Sequence, residues 1–186
     1  MFAPTGGASL LKFHPIVSPF EGFREIDAFG GGGFGAPRKK DCPDCTPSSS
    51  ACATCHNLHY LSYEHKGLDF IAPVRAEIVT PFPSRLTAKG FAYSEKVPLH
   101  SLHLSGIGEF SQWKAKLLYV FSSHTPGVVY SKSNIVIGGA EDVASYHETK
   151  SHKRGMINHV HFELFEGGHR VDPSPYFEGR PVAELA

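Results

Sequence analysis

The chain of 186 residues has no run approaching the ~20 consecutive apolar residues of a membrane-spanning helix. It is also poor in charge. Asp, Glu, Lys and Arg make up 19% of it, and 18 basic residues balance 18 acidic ones, for a formal net charge of zero. That balance removes the electrostatic footprint of a protein whose main partner is nucleic acid or an anionic membrane. The first residues, Met1-Phe2-Ala3-Pro4-Thr5-Gly6-Gly7, lack a charged segment followed by an apolar core and do not read as a Sec signal peptide. The expectation is a mature form, or a protein that reaches its site of action by another route. The glycine-rich segment Phe29-Gly30-Gly31-Gly32-Gly33-Phe34-Gly35 is followed by no Lys-Ser/Thr pair, so it is no phosphate loop. It reads as a flexible turn.

What is abundant points to a small β-rich domain. Hydrophobic residues reach 41% and aromatics 12%, which excludes a disordered chain, and the length suits one domain with a buried core. Glycine (19) and proline (14) together make up about 18% of the chain against roughly 12% on average. The excess favours short strands and many turns over a helical bundle. Histidine is over-supplied at 12, and imidazole is the commonest metal ligand.

The chain divides into a loop-rich lead-in (1–40), a cysteine-rich insert (41–60), a β domain (61–178) and a short tail (179–186). Strands are expected at Leu68–Val74, Ala76–Thr80, Leu117–Phe121, Asn134–Gly138 and His159–Phe165, with one short helix near Ala140–His147. The fold class is all-β or β-dominated, a single domain of antiparallel sheets. All four cysteines sit in the insert, as Cys42-Pro-Asp-Cys45 and Cys52-Ala-Thr-Cys55. Paired CxxC units are a zinc signature, but the six-residue spacer is short for a zinc ribbon. Two disulfides stapling a loop in an oxidising setting are the other reading. A redox-active CxxC lacks its βαβ context.

Chemistry gathers at two further places. In His159-Val160-His161-Phe162-Glu163-Leu164, strand alternation puts His159, His161 and Glu163 on one face, and Val160, Phe162 and Leu164 on the other. Alone, such an HxH pair is more often an amphipathic strand than a site. In His65-Lys66-Gly67-Leu68-Asp69, a His and an Asp four apart flank a glycine, and a turn entering a strand can aim both at one centre. Two imidazoles and a carboxylate are the ligand types of a catalytic zinc site with an open fourth position.

The order HxGxD, Ala72-Pro73, HVHFEL and Asp172-Pro173-Ser174-Pro175-Tyr176 resembles the lysostaphin-type zinc metallopeptidases, endopeptidases of bacterial peptidoglycan. His14-Pro15-Ile16 and Phe34-Gly35-Ala36-Pro37-Arg38 extend the likeness over roughly residues 14–177. The resemblance implies that residues 61–178 form a zinc peptidase-like domain on the lysostaphin-type scaffold. It implies Zn²⁺ held by His65, Asp69 and His161, with His159 as general base or water-positioning group and Glu163 supporting a ligand histidine from behind. The implied activity is hydrolysis of peptide bonds in peptidoglycan, as a cell-wall lysin acting outside the cytoplasm or in the periplasm. Delivery could be by a phage particle, with other virion or tail proteins as further partners. One position departs from the family pattern. Where active members carry Tyr-x-His, this chain has Tyr119-Val120-Phe121, and phenylalanine can neither donate a hydrogen bond nor carry charge. Similar strands occur in phage-encoded members and in a branch that includes leukocyte cell-derived chemotaxin, a zinc-binding relative without peptidase activity. The alternative function is therefore a catalytically inactive zinc-binding structural or binding module, such as a virion tail component. Among nearby histidines, His124 is the first substitute to consider, ahead of His103 and His147. Tyr119 and Trp113 read as packing residues.

Overall fold

The computed structural model describes residues 11–27, 29–41, 60–94, 97–152 and 154–177. The four cysteines of the insert, and with them the choice between zinc and disulfides, lie outside the described residues. In chain order the strands are β1 (Val17–Ser18), β2 (Ile26–Asp27), β3 (Gly30–Gly31), β4 (Pro37–Asp41), β5 (Tyr60–Glu64), β6 (Leu68–Ile71), β7 (Glu77–Val79), β8 (Ser84–Phe91), β9 (His100–Gly106), β10 (Trp113–Leu118), β11 (Val120–Phe121), β12 (Val129–Tyr130), β13 (Val136–Ala140), β14 (His159–Glu166) and β15 (His169–Val171). One helix, α1 (Val143–Ser151), follows β13; Asp142 caps it by accepting the Ser145 N–H at 2.9 Å. The β-dominated class expected from composition is what the chain adopts, and among the described residues every strand pairing is antiparallel.

Seven strands form the main sheet, in the order β12-β8-β9-β10-β14-β15 with β6 also on β14; four more, β1-β7-β13-β11, form a second sheet. The expected strands are found with altered bounds: β6 stops before Pro73, β7 is a residue shorter at each end, the strand expected at Leu117–Phe121 is divided at Tyr119 between β10 and β11, β13 starts later and runs on to Ala140, and β14 extends to Glu166. The helix starts three residues later than its composition suggests, because Asp142 is the cap. The long hairpin β8–β9 was not expected. Its polar residues, such as Arg85, Thr87 and Lys89, dilute the apolar pattern, although Leu86, Leu102 and Leu104 are buried. The lead-in, read as loop, carries four short strands from Val17 onward. The glycine run is not a free turn either: Gly30–Gly31 pairs with Ile26–Asp27.

The core lies on one face of the main sheet. Val160, Phe162 and Leu164 of β14 meet Leu68 and Phe70 of β6 there, all at most 1% exposed. Phe70 is the hub of a ring cluster, with centroids 4.9 Å from Phe23, 5.0 Å from Phe177 and 6.0 Å from Phe162. Aromatic packing of this kind adds to plain area burial. The segment after β15 packs back on the domain: Tyr176 stacks on Phe13 at 5.2 Å and meets Trp113 at 5.0 Å.

Tyr119 marks a change of sheet. β10 belongs to the main sheet and β11 to the second, and the residue between them has φ 69°. A bulky residue in the left-handed region costs on the order of 1–3 kcal/mol unless its surroundings hold it. Here two backbone hydrogen bonds do so: the Tyr119 N–H donates to His100 O at 2.8 Å, and the Glu141 N–H donates to Tyr119 O at 2.9 Å.

Replacing Phe70 by Ala removes the hub of the ring cluster. The expected loss in urea unfolding is ~3–5 kcal/mol. A change below 1 kcal/mol would show that the cluster closes over the gap.

Candidate metal centre

Register brings the two motifs together. β6 and β14 pair so that His161 lies directly opposite Asp69, and His159 opposite Ile71. Directly opposed residues on one face of an antiparallel pair are in side-chain contact, so Asp69 and His161 meet while Leu68, Phe70, Val160 and Phe162 turn to the core. His65 enters from the turn before β6. Gly67 makes this approach possible: a Cβ there would stand 2.7 Å from His161 Cε1 and 2.8 Å from its Nε2, and would press on the Phe162 carbonyl.

Three atoms converge. His65 Nε2 is 2.9 Å from His161 Nδ1, His161 Nδ1 is 2.9 Å from Asp69 Oδ1, and His65 Nε2 is 3.2 Å from the same oxygen. The far side of each ring is engaged. His65 Nδ1 faces the Gly33 carbonyl at 2.9 Å, and a carbonyl can only accept, so Nδ1 carries the proton and Nε2 presents a lone pair. His161 Nε2 faces Glu163 Oε1 at 3.4 Å, which places its lone pair on Nδ1. Glu163 is gripped in turn by Arg170, at 2.8 and 3.2 Å. Two imidazole lone pairs and a carboxylate oxygen facing one another repel unless a cation, a proton or a metal ion, sits among them. The triangle's edges of 2.9–3.2 Å are close to the ~3.3 Å between neighbouring ligands of a tetrahedral zinc with ~2.0–2.1 Å bonds. Outer acceptors that fix the ring orientation are the usual support of metal-bound histidines. This donor set fits a divalent ion of zinc's type.

The second oxygen of Asp69 has different partners. Arg24 donates to Oδ2 from Nε at 3.0 Å and from Nη2 at 2.6 Å, and Arg38 Nη2 lies 3.3 Å away. Arg24 is itself held by Gly30 O at 2.9 Å and Asp27 Oδ2 at 2.7 Å. Asp69 is 1% exposed. Burial alone would raise its pKa, but in the metal-free chain, with a proton shared among the three groups, His159, His161 and His65 hold it well below the ordinary carboxylate value. For His161, burial works against the charged form and is outweighed by Asp69 and Glu163, so its pKa rises. Burial also pushes Glu163 up, while His161 and Arg170 bring it down to about 2.

His159 stands beside this cluster. Its Nδ1–H donates to Ile157 O at 2.8 Å, leaving Nε2 free, 3.6 Å from Asp69 Oδ2. Burial dominates its titration and lowers its pKa to about 4, so the ring is neutral at pH 7 and able to take a proton. A cavity of about 450 Å³ opens on the group, walled by Phe29, Tyr63, Tyr93, Tyr119, His147 and Met156 among others.

Residue by residue, the structure gathers His65, Asp69 and His161 into one centre, with His159 next to it and Glu163 behind it. Among the described residues no other set of three or more His, Asp or Glu groups is close enough to hold an ion. Phe121 is turned outward. It is 56% exposed and packs on His100 at 5.4 Å, away from the cavity wall. His124 is bonded to the Tyr130 hydroxyl at 2.9 Å and, like His103, lies off that wall. His147 lies on it. Tyr119, read as a packing residue, is buried but also faces the cavity. The roles of Arg24, Gly33 and Tyr93 were missed, since no local pattern marks them. Arg38 belonged to a recognised motif without a stated task.

No family model matches the chain, and no curated protein matches it in sequence. Solved structures do. One chain of the SpoIIIAH–SpoIIQ complex is 18% identical, with a TM-score of 0.53 over 89% of this chain and 99% of that one. Csd3 of Helicobacter pylori is 11% identical with a TM-score of 0.50, over 91% of this chain and 36% of that one. The catalytic domain of the antimicrobial peptidase lysostaphin from Staphylococcus simulans is 15% identical with a TM-score of 0.44, over 61% of this chain and 78% of that one. At these identities the likeness is one of fold.

Two predictions test the centre. Gly67→Ala pushes the His161 ring aside, and zinc affinity should fall by at least about tenfold in a competition titration; unchanged affinity would mean that Gly67 has no part in the approach. The second concerns acid. His159 binds its proton near pH 4 in the folded, metal-free chain and near 6.5 when unfolded, so between these values the unfolded chain holds more protons. Stability from this group is complete above about pH 6.5 and is lost as pH falls towards 4. From pH 7 to 5 the metal-free protein should lose roughly 2 kcal/mol more than its His159→Gln variant, read by urea unfolding in chelator. Equal losses would refute the assignment.

Proposed function

We propose that the chain is a lysostaphin-type zinc metallopeptidase that hydrolyses peptide bonds of bacterial peptidoglycan, acting outside the cytoplasm where that polymer lies. The observation that carries this reading is the convergence of His65 Nε2, Asp69 Oδ1 and His161 Nδ1, with both imidazole lone pairs aimed inward. The HxGxD and HVHFEL motifs support it.

In this reading His65, Asp69 and His161 hold the ion. Bound zinc supplies Lewis acidity and lowers the pKa of an attached water towards ~7. The protein's own groups do the rest. Arg24 and Arg38 occupy Asp69 Oδ2 and so leave Oδ1 for the metal. Glu163 and the Gly33 carbonyl hold the two ligand rings in orientation. His159, neutral with its free Nε2 beside the centre, takes a proton from the attacking water and returns it to the departing amine.

The sequence position at which the family carries a histidine holds Phe121 here, and that favours a second reading: a zinc-binding module that recognises a partner without cleaving it. The neighbour solved as the SpoIIIAH–SpoIIQ complex is a protein found in an assembly.

Zinc-loaded protein incubated with purified peptidoglycan should release free amines, with one zinc per chain bound at His65, Asp69 and His161. His159→Ala should lower the rate by ~10²–10⁴ and keep its zinc, whereas Asp69→Asn should lose the metal. Zinc binding without amine release at high protein concentration would overturn the hydrolase and leave the binding module.

A further inference from the structure

Three polar side chains on the cavity wall form a continuous hydrogen-bonded row. Tyr119 Oη is 2.6 Å from Tyr93 Oη, and Tyr93 Oη is 2.8 Å from His147 Nε2. All three line the cavity that also receives His65, Asp69, His159 and His161. The left-handed backbone at Tyr119 lies where the chain leaves one sheet for the other, one residue after Leu118, which pairs with His161. Its ring stands perpendicular to the His159 ring, centroids 5.6 Å apart. Phe121, the residue in the family histidine's sequence position, points outward instead. The wall beside the centre thus offers a phenol.

We propose that the Tyr119 hydroxyl donates the hydrogen bond that stabilises the oxyanion of a tetrahedral acyl centre in this cavity, and that Tyr93 and His147 set its direction. The proposal rests on the peptidase reading above. Direction matters because two hydroxyls and one ring nitrogen share two hydrogen bonds. With the proton on His147 Nε2, His147 donates to Tyr93 and Tyr93 donates to Tyr119, which frees the Tyr119 O–H for the cavity. With a lone pair on His147 Nε2 the row runs the other way, and Tyr119 offers the cavity only an acceptor. A negatively charged oxygen selects the first arrangement. No bond to tyrosine forms or breaks, and the phenol keeps its proton. Burial raises the Tyr119 pKa well above its ordinary value, so the donor stays protonated throughout the working range. Tyr93 and His147 act through Tyr119 and are positioning residues.

The probe is a phosphinic isostere of Ala-Ala, whose tetrahedral PO₂⁻ replaces the amide, titrated by calorimetry into zinc-loaded protein. Tyr119→Phe, which removes one oxygen, should weaken its binding by ~10²-fold, as loss of an oxyanion donor does elsewhere, while zinc affinity and melting temperature stay as in wild type. On peptidoglycan the same variant should lose kcat with KM unmoved. His147→Gln, which keeps an N–H, should retain most of the affinity that His147→Phe loses, a split that a packing role would not produce. Should Tyr119→Phe fail to fold, half-exposed Tyr93→Phe carries the test, with at least about fivefold weaker binding expected. Wild type that binds the phosphinate no better than these variants do overturns the donor alone. Wild type that neither binds the phosphinate nor releases amines overturns both the donor and the peptidase.

Discussion

The structure depends on one cross-strand pairing, that of Asp69 with His161. These two residues face each other because β6 and β14 share a register in which Phe70 opposes Val160 and Leu68 opposes Phe162 on the other side of the sheet. A slip of one residue would turn the carboxylate into the core and a phenylalanine into the cavity. The hydrophobic contacts that select the register therefore also select the site. Burial of Phe70, Phe162 and Leu68 at 1% exposure or less makes that selection steep.

Placing a carboxylate at 1% exposure carries a large desolvation cost unless each oxygen is satisfied. Asp69 divides the task. Oδ2 takes two arginines from the lead-in, and Oδ1 takes two imidazoles from the domain. Removing the arginines would leave an uncompensated buried charge. The lead-in is thus part of the site: Arg24, Gly33 and Arg38 all belong to it, and the Asp69 N–H donates to Gly32 O at 2.9 Å as well. Glycine is needed at position 32, where a Cβ would collide with the backbone of Arg24.

Much of this was legible in the sequence, and what was not has a physical reason. HxGxD and HxH announce themselves because strand alternation and a turn glycine are local rules acting over five residues. Leu117–Phe121 and His159–Phe165 stand out by apolar content. Arg24 and Gly33 gave no signal, since their work is defined by partners 45 and 32 residues away. The glycine run looked entropically unfit for structure, and alone it would be; pairing with β2 and closure over His65 overcome that cost. The β8–β9 hairpin was hidden by its solvent face. Tyr119 is buried with Leu99, Leu118 and Val143, as a packing residue should be, but it also faces the cavity, because a positive φ between β10 and β11 breaks the alternation by which strand faces are counted.

That break bears on where Phe121 points. A residue's place in a motif predicts its place in space only while the backbone keeps its period of two. Past Tyr119 the chain has changed sheets, and Phe121 points to solvent. The functional content of that wall is set by the groups that reach it: a buried phenol, a second phenol and an imidazole in hydrogen-bond contact. Such a row presents a proton without placing a second basic ring beside His159, whose neutrality already depends on burial against the pull of Asp69. An imidazolium in the same place would lower the His159 pKa further by like-charge repulsion. A neutral donor avoids that penalty.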